Sequence, residues 1–355
     1  METRAFRFQV LVIFLLGLMW FFAGCASRGR VEERQIQFKN SPSPHGENRF
    51  PNWQFPPQEL EKLDEPTTPL AIKGEFVTLE DKRTETGVGG ASVTVFSFPS
   101  LNMEIKIKWK EMTGGILDSY NNSPRKQIAA YQIQKLFLEP EDYVVPTVEP
   151  ICFPLEFYNR YRAEPGEPSL PGISCQLGLG SIWMLNVKVP DKLYDESRFL
   201  KDYTYAYFMS NFNILAYLID HRDAKPSNIL VSKDENRRQV FSIDNDIAFG
   251  EWVYSYFRPH YNKIRVAALR RDSIDRLRRL QRQDLDFLRV VYQMEKDENG
   301  VLHRAPVGDG LCPNGGICIK DGTVQFGLKK SEIDDVWERI ESLIAEVDSG
   351  KIQVF

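Results

Sequence analysis

Zinc-binding spacings, a strong charge of one sign and internal repeats are all missing from this chain. It has 4 histidines and 5 cysteines, but no C-x-x-C pair and no neighbouring histidine to complete one. That argues against a zinc site, which stays the alternative use of the cysteines. The formal net charge is only −4. No global field draws the protein to nucleic acid or to an anionic surface, and nucleic acid is not expected as a partner. Without repeats a solenoid is excluded. What is present is an ordinary globular composition, 42% hydrophobic over 355 residues. That is enough for one large domain or two small ones.

The N-terminus reads as an address rather than as part of the fold. Arg4 and Arg7 precede an apolar run from Val10 to Ala23, and Phe22-Ala23-Gly24-Cys25 follows. A basic start, an apolar centre and small residues at the end describe a secretory signal. The Ala-Gly-Cys ending resembles the bacterial lipobox, with Phe22 in place of the usual Leu. Cys25 would then be lipidated and become the mature N-terminus, anchoring the protein to a membrane. Ala26 is not the Asp that retains lipoproteins in the inner membrane, so the outer membrane is favoured. An uncleaved anchor, giving a type II luminal or periplasmic protein, is the alternative. Both export the rest of the chain. Cys152, Cys175, Cys312 and Cys318 then suit disulfides. Cys152–Cys175 and Cys312–Cys318 are the expected pairs, because each closes a short loop containing Gly and Pro.

The expected organisation is a signal over 1–25, a flexible tether over 26–70, and a fold that begins near Gly74. The tether is rich in Pro, Ser, Asn and charge, as in Ser41-Pro42-Ser43-Pro44 and Phe55-Pro56-Pro57. Two strands, Phe76–Leu79 and Ser92–Phe96, flank a glycine loop with Gly87, Gly89 and Gly90. In Met103–Lys110, alternation puts Ile105, Ile107 and Trp109 on one face and Lys106, Lys108 and Lys110 on the other. Ser123 and Pro124 open a helix that continues to Leu138. Tyr143–Thr147 and Ile182–Val187 read as strands, and Asp202–Leu218 as an apolar helix. Residues 273–294 read as helical with a basic face, either a site for acidic groups or a solvated surface with interleaved acids. Thr323–Leu328 is a short strand. Ser331–Asp334 opens a last helix with capping chemistry, and Ile333, Trp337, Ile340 and Ile344 form its apolar stripe.

The most informative stretch is His221-Arg222-Asp223-Ala224-Lys225-Pro226-Ser227-Asn228-Ile229-Leu230. It leads into a hairpin. Ile229–Val231 is one strand, Lys233–Arg238 a polar turn, and Gln239–Ile243 the returning strand. Asp244-Asn245-Asp246 ends that strand, so the hairpin carries Asp244 back towards Asn228.

The run H-R-D-x-K-P-x-N-I-L, followed at hairpin distance by an acid, resembles the protein-kinase-like superfamily over about Gly74 to Gly250. It is closest to the secretory-pathway kinase family of the Golgi lumen. Members of that family couple a helix of the form E-I-A-A-F to a D-N-G-type metal motif, here Gln127-Ile128-Ala129-Ala130-Tyr131 and Asp244-Asn245-Asp246. The resemblance implies an α+β, two-lobed fold, with a β-rich lobe over 71–190 and a mostly helical lobe with a C-terminal extension over 191–355. It implies ATP or another nucleotide, with Mg or Mn, in the cleft. Asp223 would take the acceptor's proton, and Lys225 would reach the transferred phosphate. Asn228 with Asp244 or Asp246 would hold the metal. Lys108, with Lys110 second, would bind phosphates under Gly87, Gly89 and Gly90. The acceptor, a protein, a sugar or a small molecule, is not specified. Two departures stand out. Gln127 replaces the Glu that would pair the lysine, and no A-P-E-like motif follows Gly250. A catalytically weak or inactive scaffold is therefore the competing expectation.

Overall fold

The computed structural model describes residues 38, 44–61, 71–72, 77–78, 91–98, 103–112, 123–161, 165–250 and 262–355. Cys25, the signal region and the glycine loop lie outside them. Phe38–Phe355 forms one compact unit. Its class is α+β, with several small sheets.

The largest sheet combines β1 (Ala71–Ile72), β2 (Val77–Thr78), β3 (Ala91–Phe98), β4 (Met103–Glu111), β5 (Val148–Pro154) and β6 (Cys175–Ile182). The order is β1-β3-β4-β6-β5, with β2 also on β3, and every pairing is antiparallel. The expected alternation in β4 holds: Ile105 and Trp109 are fully buried and the lysines face the other way. Gly178 and Gly180 in β6 make room for that apolar face. A Cβ on Gly178 would sit 2.1 Å from the Trp109 ring. Cys152 and Cys175 join β5 to β6, and Cys312 joins Cys318, with Cα–Cα distances of 5.4 and 5.9 Å.

The helices are α1 (Pro57–Leu60), α2 (Pro124–Gln134), α3 (Leu155–Tyr161), α4 (Glu196–Phe199), α5 (Tyr203–Leu218), α6 (Arg271–Arg278) and α7 (Lys330–Asp348). Helix α2 starts where Ser123 and Pro124 place it. Helix α5 is capped by Asp202, whose side chain accepts from the Tyr205 amide at 3.0 Å. Along α7 the buried stripe is Ile333, Val336, Ile340 and Leu343. Trp337 and Ile344 are only half-buried. A three-stranded sheet joins β7 (Val187–Lys188), β8 (Ile229–Ser232) and β9 (Val240–Ser242). Strand β10 (Ala268–Leu269) pairs in parallel with β15 (Gln353–Val354). Strands β11 (Tyr292–Lys296), β12 (Leu302–Ala305), β13 (Ile317–Lys320) and β14 (Thr323–Phe326) form a sheet in the order β12-β11-β14-β13.

Several expectations change. Residues 44–61 are packed, not a tether. Trp53 and Leu60 are buried, and Trp53 meets Phe241 edge-on. Asn52 donates to the Leu185 carbonyl at 2.9 Å, and Gln54 bonds both Lys106 and Trp183. His45 lies 2.9 Å from the buried Asp142. Residues 143–147 are not a strand; the strand is β5, which follows them. Strand β6 ends at Ile182, and Leu185 is 39% exposed. The 273–294 region is α6, a 3-10 turn over Arg282–Arg289, and then the start of β11. Three of its arginines are held by acids of the same chain. Arg276 meets Glu139, Arg278 meets Asp275 and Asp348, and Arg282 meets Asp286 and Asp334. No helix among the described residues is long and apolar enough to cross a membrane.

Candidate active site

Helix α5 delivers the chain into the loop that carries most of the candidate residues. Asp220 takes a left-handed conformation, with φ of 47°. The amide of His221 then bonds back to the Ala216 carbonyl at 2.8 Å. The His221 ring is fully buried, and neither ring nitrogen has a hydrogen-bond partner among the described residues. Burial pushes its pKa down to about 4, against the opposing pull of Asp223, Asp246, Asp244 and Asp220. The imidazole is therefore neutral and serves as packing.

Beyond it the loop is cross-linked through Asp223. Lys225 Nζ donates to Asp223 Oδ2 at 2.8 Å, and Asn228 Nδ2 donates to the same oxygen at 2.8 Å and to the Asp223 carbonyl at 3.1 Å. The Asn228 amide nitrogen is thus turned inward, which leaves its Oδ1 as the metal-facing candidate atom.

The hairpin works as its polar turn suggests. Ile229 faces Ser242, and the Ile243 amide donates to the Asn228 carbonyl at 2.9 Å. Asp244 follows directly, so it starts beside Asn228. Its φ of 55° is left-handed, a conformation that non-glycine residues adopt at a cost. Asn245 holds the turn that follows. Ser242 Oγ donates to Asn245 Oδ1 at 2.7 Å, and Asn245 Nδ2 donates back to the Ser242 carbonyl at 3.3 Å. This interlock was not read from the sequence; the Ser242-x-x-Asn245 spacing at the strand end is the signal that could have found it.

Strand β4 supplies the cations. Lys108 Nζ lies 3.3 Å from Asp244 Oδ1, and Lys110 Nζ lies 2.8 Å from Asp246 Oδ2. Both lysines therefore reach the acid turn, one each. Burial alone would raise the Asp244 carboxyl, but Lys108, Lys110 and Lys225 outweigh it and hold the pKa below the usual carboxylate value. Burial would lower the Lys110 ammonium, but Asp246 and Asp244 outweigh it and the pKa rises. The two shifts agree: each favours the charged form, Asp244 as carboxylate and Lys110 as ammonium.

Gln127 is nearly buried on α2 and does not contact either lysine among the described residues. Its Nε2 donates to Ser181 Oγ at 3.2 Å. Ser181 is the β6 residue directly opposite Lys108, so Gln127 lies beside the lysine and leaves it to Asp244. Nothing in the sequence singled out Ser181. Gly87, Gly89 and Gly90 lie outside the described residues. The strands around them do pair, Val77 with Val93 and Thr78 with Ser92.

Asn228, Asp244 and Asp246 offer an amide oxygen and two carboxylates. Hard oxygen donors of this kind fit Mg or Mn and not a zinc centre. No group of three or more His, Cys, Asp or Glu with metal-site geometry occurs among the described residues. Any ion here would depend on Asn228 and on further oxygens from a ligand or water. No protein-family model matches the chain, and no curated protein matches it.

Proposed function

We propose that this chain is an exported, atypical kinase-like phosphotransferase that moves a phosphoryl group from ATP or another nucleotide to an acceptor hydroxyl. The observation that carries the reading is convergence. Two strand lysines, two acids on a hairpin end and the Asp223-Lys225-Asn228 loop come together from three stretches of the chain. In this reading the two lobes are residues 71–190 and 191–355. Asp223 orients the acceptor hydroxyl and takes its proton. Lys225, 2.8 Å from Asp223, turns to the phosphoryl group in transfer. Lys108 and Lys110 bind the other phosphates beneath the Gly87, Gly89 and Gly90 loop. Asn228 and Asp244, with Asp246 beside them, hold Mg or Mn, which supplies cancellation of phosphate charge when bound. Positioning and charge cancellation are the main demands of this reaction.

The acceptor is a protein, a sugar or a small molecule met outside the cytoplasm. The two disulfides suit that compartment, and lipidation of Cys25 would keep the enzyme at the outer membrane. The test is incubation of the purified, disulfide-intact chain with radiolabelled ATP and Mg or Mn. Autophosphorylation is expected, and Asp223→Ala should abolish it; transfer that survives the change rules out the role given to Asp223.

The bond from Gln127 to Ser181 favours a second reading, a pseudokinase scaffold of the cell envelope. In it no carboxylate on α2 holds the lysine for a nucleotide. A thermal-shift titration separates the two. Stabilisation by a nucleotide–metal pair, about 3 kcal/mol at a hundredfold excess over Kd, supports a nucleotide site. No stabilisation by any such pair supports the scaffold.

A further inference from the structure

Helix α7 carries no motif, yet it touches both halves of the candidate site. At its N-terminal end Glu332 grips Arg125 of α2 in a two-pronged pair, Nη1 to Oε2 at 2.5 Å and Nη2 to Oε1 at 3.0 Å. Arg125 is wholly buried and Glu332 nearly so. Glu332 Oε2 also accepts the Lys329 amide at 2.7 Å, so the carboxylate is fixed to the first turn of its own helix. Arg125 lies two residues before Gln127, and α2 packs against the turn over Asn245–Ile247 that carries Asp246. Seven residues along the same helix, two turns and about 10 Å away, Arg339 reaches the other half. Its Nη1 donates to the Leu218 carbonyl at 3.2 Å, and its Nη2 lies 3.6 Å from Asp220 Oδ2. Asp220 stands three residues before Asp223. It is also bound by Arg222 at 2.8 Å and by Asn262 at 2.9 Å.

We infer that α7 is a brace that sets the distance between the acid turn and the Asp223 loop, with Glu332 and Arg339 as its positioning residues. This deepens the phosphotransferase reading and rests on it. A buried ion pair adds little net stability compared with apolar residues of the same size. What a two-pronged arginine–carboxylate pair supplies is fixed geometry. One rigid helix anchored in its first turn by Glu332 and at its middle by Arg339 keeps the lysine–acid cluster and the proton-accepting carboxylate in register. Misplacement by about 1 Å costs such chemistry up to about 100-fold.

The test uses the purified full-length chain with its disulfides and the variants Glu332→Gln, Arg339→Met and Arg339→Lys. Glutamine keeps the shape of Glu332 and an acceptor for the Lys329 amide. Lysine keeps a donor and charge for Leu218 and Asp220. With ATP and Mn, kcat should fall about 10- to 100-fold in Glu332→Gln and Arg339→Met, at a temperature well below melting. The KM for ATP should change little in Arg339→Met, and Arg339→Lys should recover most of the loss. If kcat per folded molecule is unchanged in Arg339→Met, or if lysine does no better than methionine, the brace is overturned. If the unaltered chain transfers no phosphate, the functional reading fails on its own. Amide exchange then decides the brace: it should rise at residues 219–224 in Arg339→Met and at 244–247 in Glu332→Gln, with global stability held. Unchanged exchange in both segments overturns it. If Glu332→Gln does not fold, the Arg339 pair still decides.

Discussion

Replacing His221 by leucine should flatten the acid sensitivity of this protein. Burial lowers the imidazole from 6.5 to about 4. The unfolded chain therefore takes up a proton as pH falls through 6.5, while the folded chain does not until about 4. Stability follows the difference in bound protons, so this group leaves stability untouched above pH 7.5 and erodes it as pH falls towards 4. At about 1.4 kcal/mol per pH unit, the loss by pH 4.5 is about 2.5 kcal/mol relative to neutral pH. Leucine removes the titrating group and breaks no hydrogen bond to a described residue, because neither ring nitrogen has a partner among them. The assay is urea unfolding by tryptophan fluorescence, in EDTA and with disulfides intact, at pH 7.5, 6.5, 5.5 and 4.5. Asp223, Asp246, Asp244 and Asp220 surround the ring. All four are present in both proteins, so the difference between the two profiles isolates the imidazole. The gap between His221→Leu and the unaltered chain should shift by about 2.5 kcal/mol in the variant's favour across that range. Parallel pH profiles refute the argument. Should the variant not fold, the ring protons can be followed by NMR in the unaltered chain; a midpoint near 6.5 for His221 refutes it equally.

Gln127→Glu should raise nucleotide affinity, since a carboxylate beside Lys108 forms a charge-assisted anchor. The gain should vanish in a Lys108→Ala background, and a double-mutant cycle by calorimetry checks the coupling. Testing Lys110 in the same cycle shows which lysine carries the phosphate role. Changing both Cys152 and Cys175 to alanine opens a loop of sequence separation 23 and should cost about 3 kcal/mol, read by urea denaturation against the unaltered chain. Gly178→Ala places a methyl group 2.1 Å from the rigid Trp109 ring. A loss of about 1–3 kcal/mol is expected from overpacking, and an unchanged melting temperature would show that β6 moves aside freely.

The parts of this fold that were legible are those whose signals are local. The hairpin of β8 and β9 announces itself through apolar runs around a polar turn. Helices α2, α5 and α7 announce themselves through caps and apolar content, and the cysteine pairs through short loops. The lysine face of β4 follows from alternation alone. What was misread depends on distant partners. Residues 44–61 look like a linker because they are rich in Pro, Asn and charge and lack sustained periodicity. The burial of Trp53 depends on Phe241, nearly two hundred residues away. The apolar run at 143–147 reads as a strand, yet the strand is β5, which carries Pro150 and Pro154. Both are tolerated because β5 is an edge, where a missing donor is harmless. Strand β6 hid behind Gly178 and Gly180, whose lack of side chains is explained only by Trp109 and Ile151. In the site, the convergence of acids and lysines was readable. The destination of Gln127 and the grip of Glu332 on Arg125 were not, since Ser181 and Arg125 belong to no pattern.

The pairing of Lys108 with Asp244, Lys110 with Asp246 and Lys225 with Asp223 makes the cleft its own counter-ion. Lys108 and Lys110 cannot turn to a polyphosphate without stranding two carboxylates. Asp244 and Asp246 cannot turn to a cation without stranding two ammonium groups. Only joint arrival leaves each charge with a neighbour of opposite sign. Under the proposed function, nucleotide and divalent ion should therefore bind with strong mutual dependence, each raising the other's affinity by the same factor. On that proposal, where one of the two is scarce the lysines stay paired with their acids, and supply of the scarcer partner would act as the control.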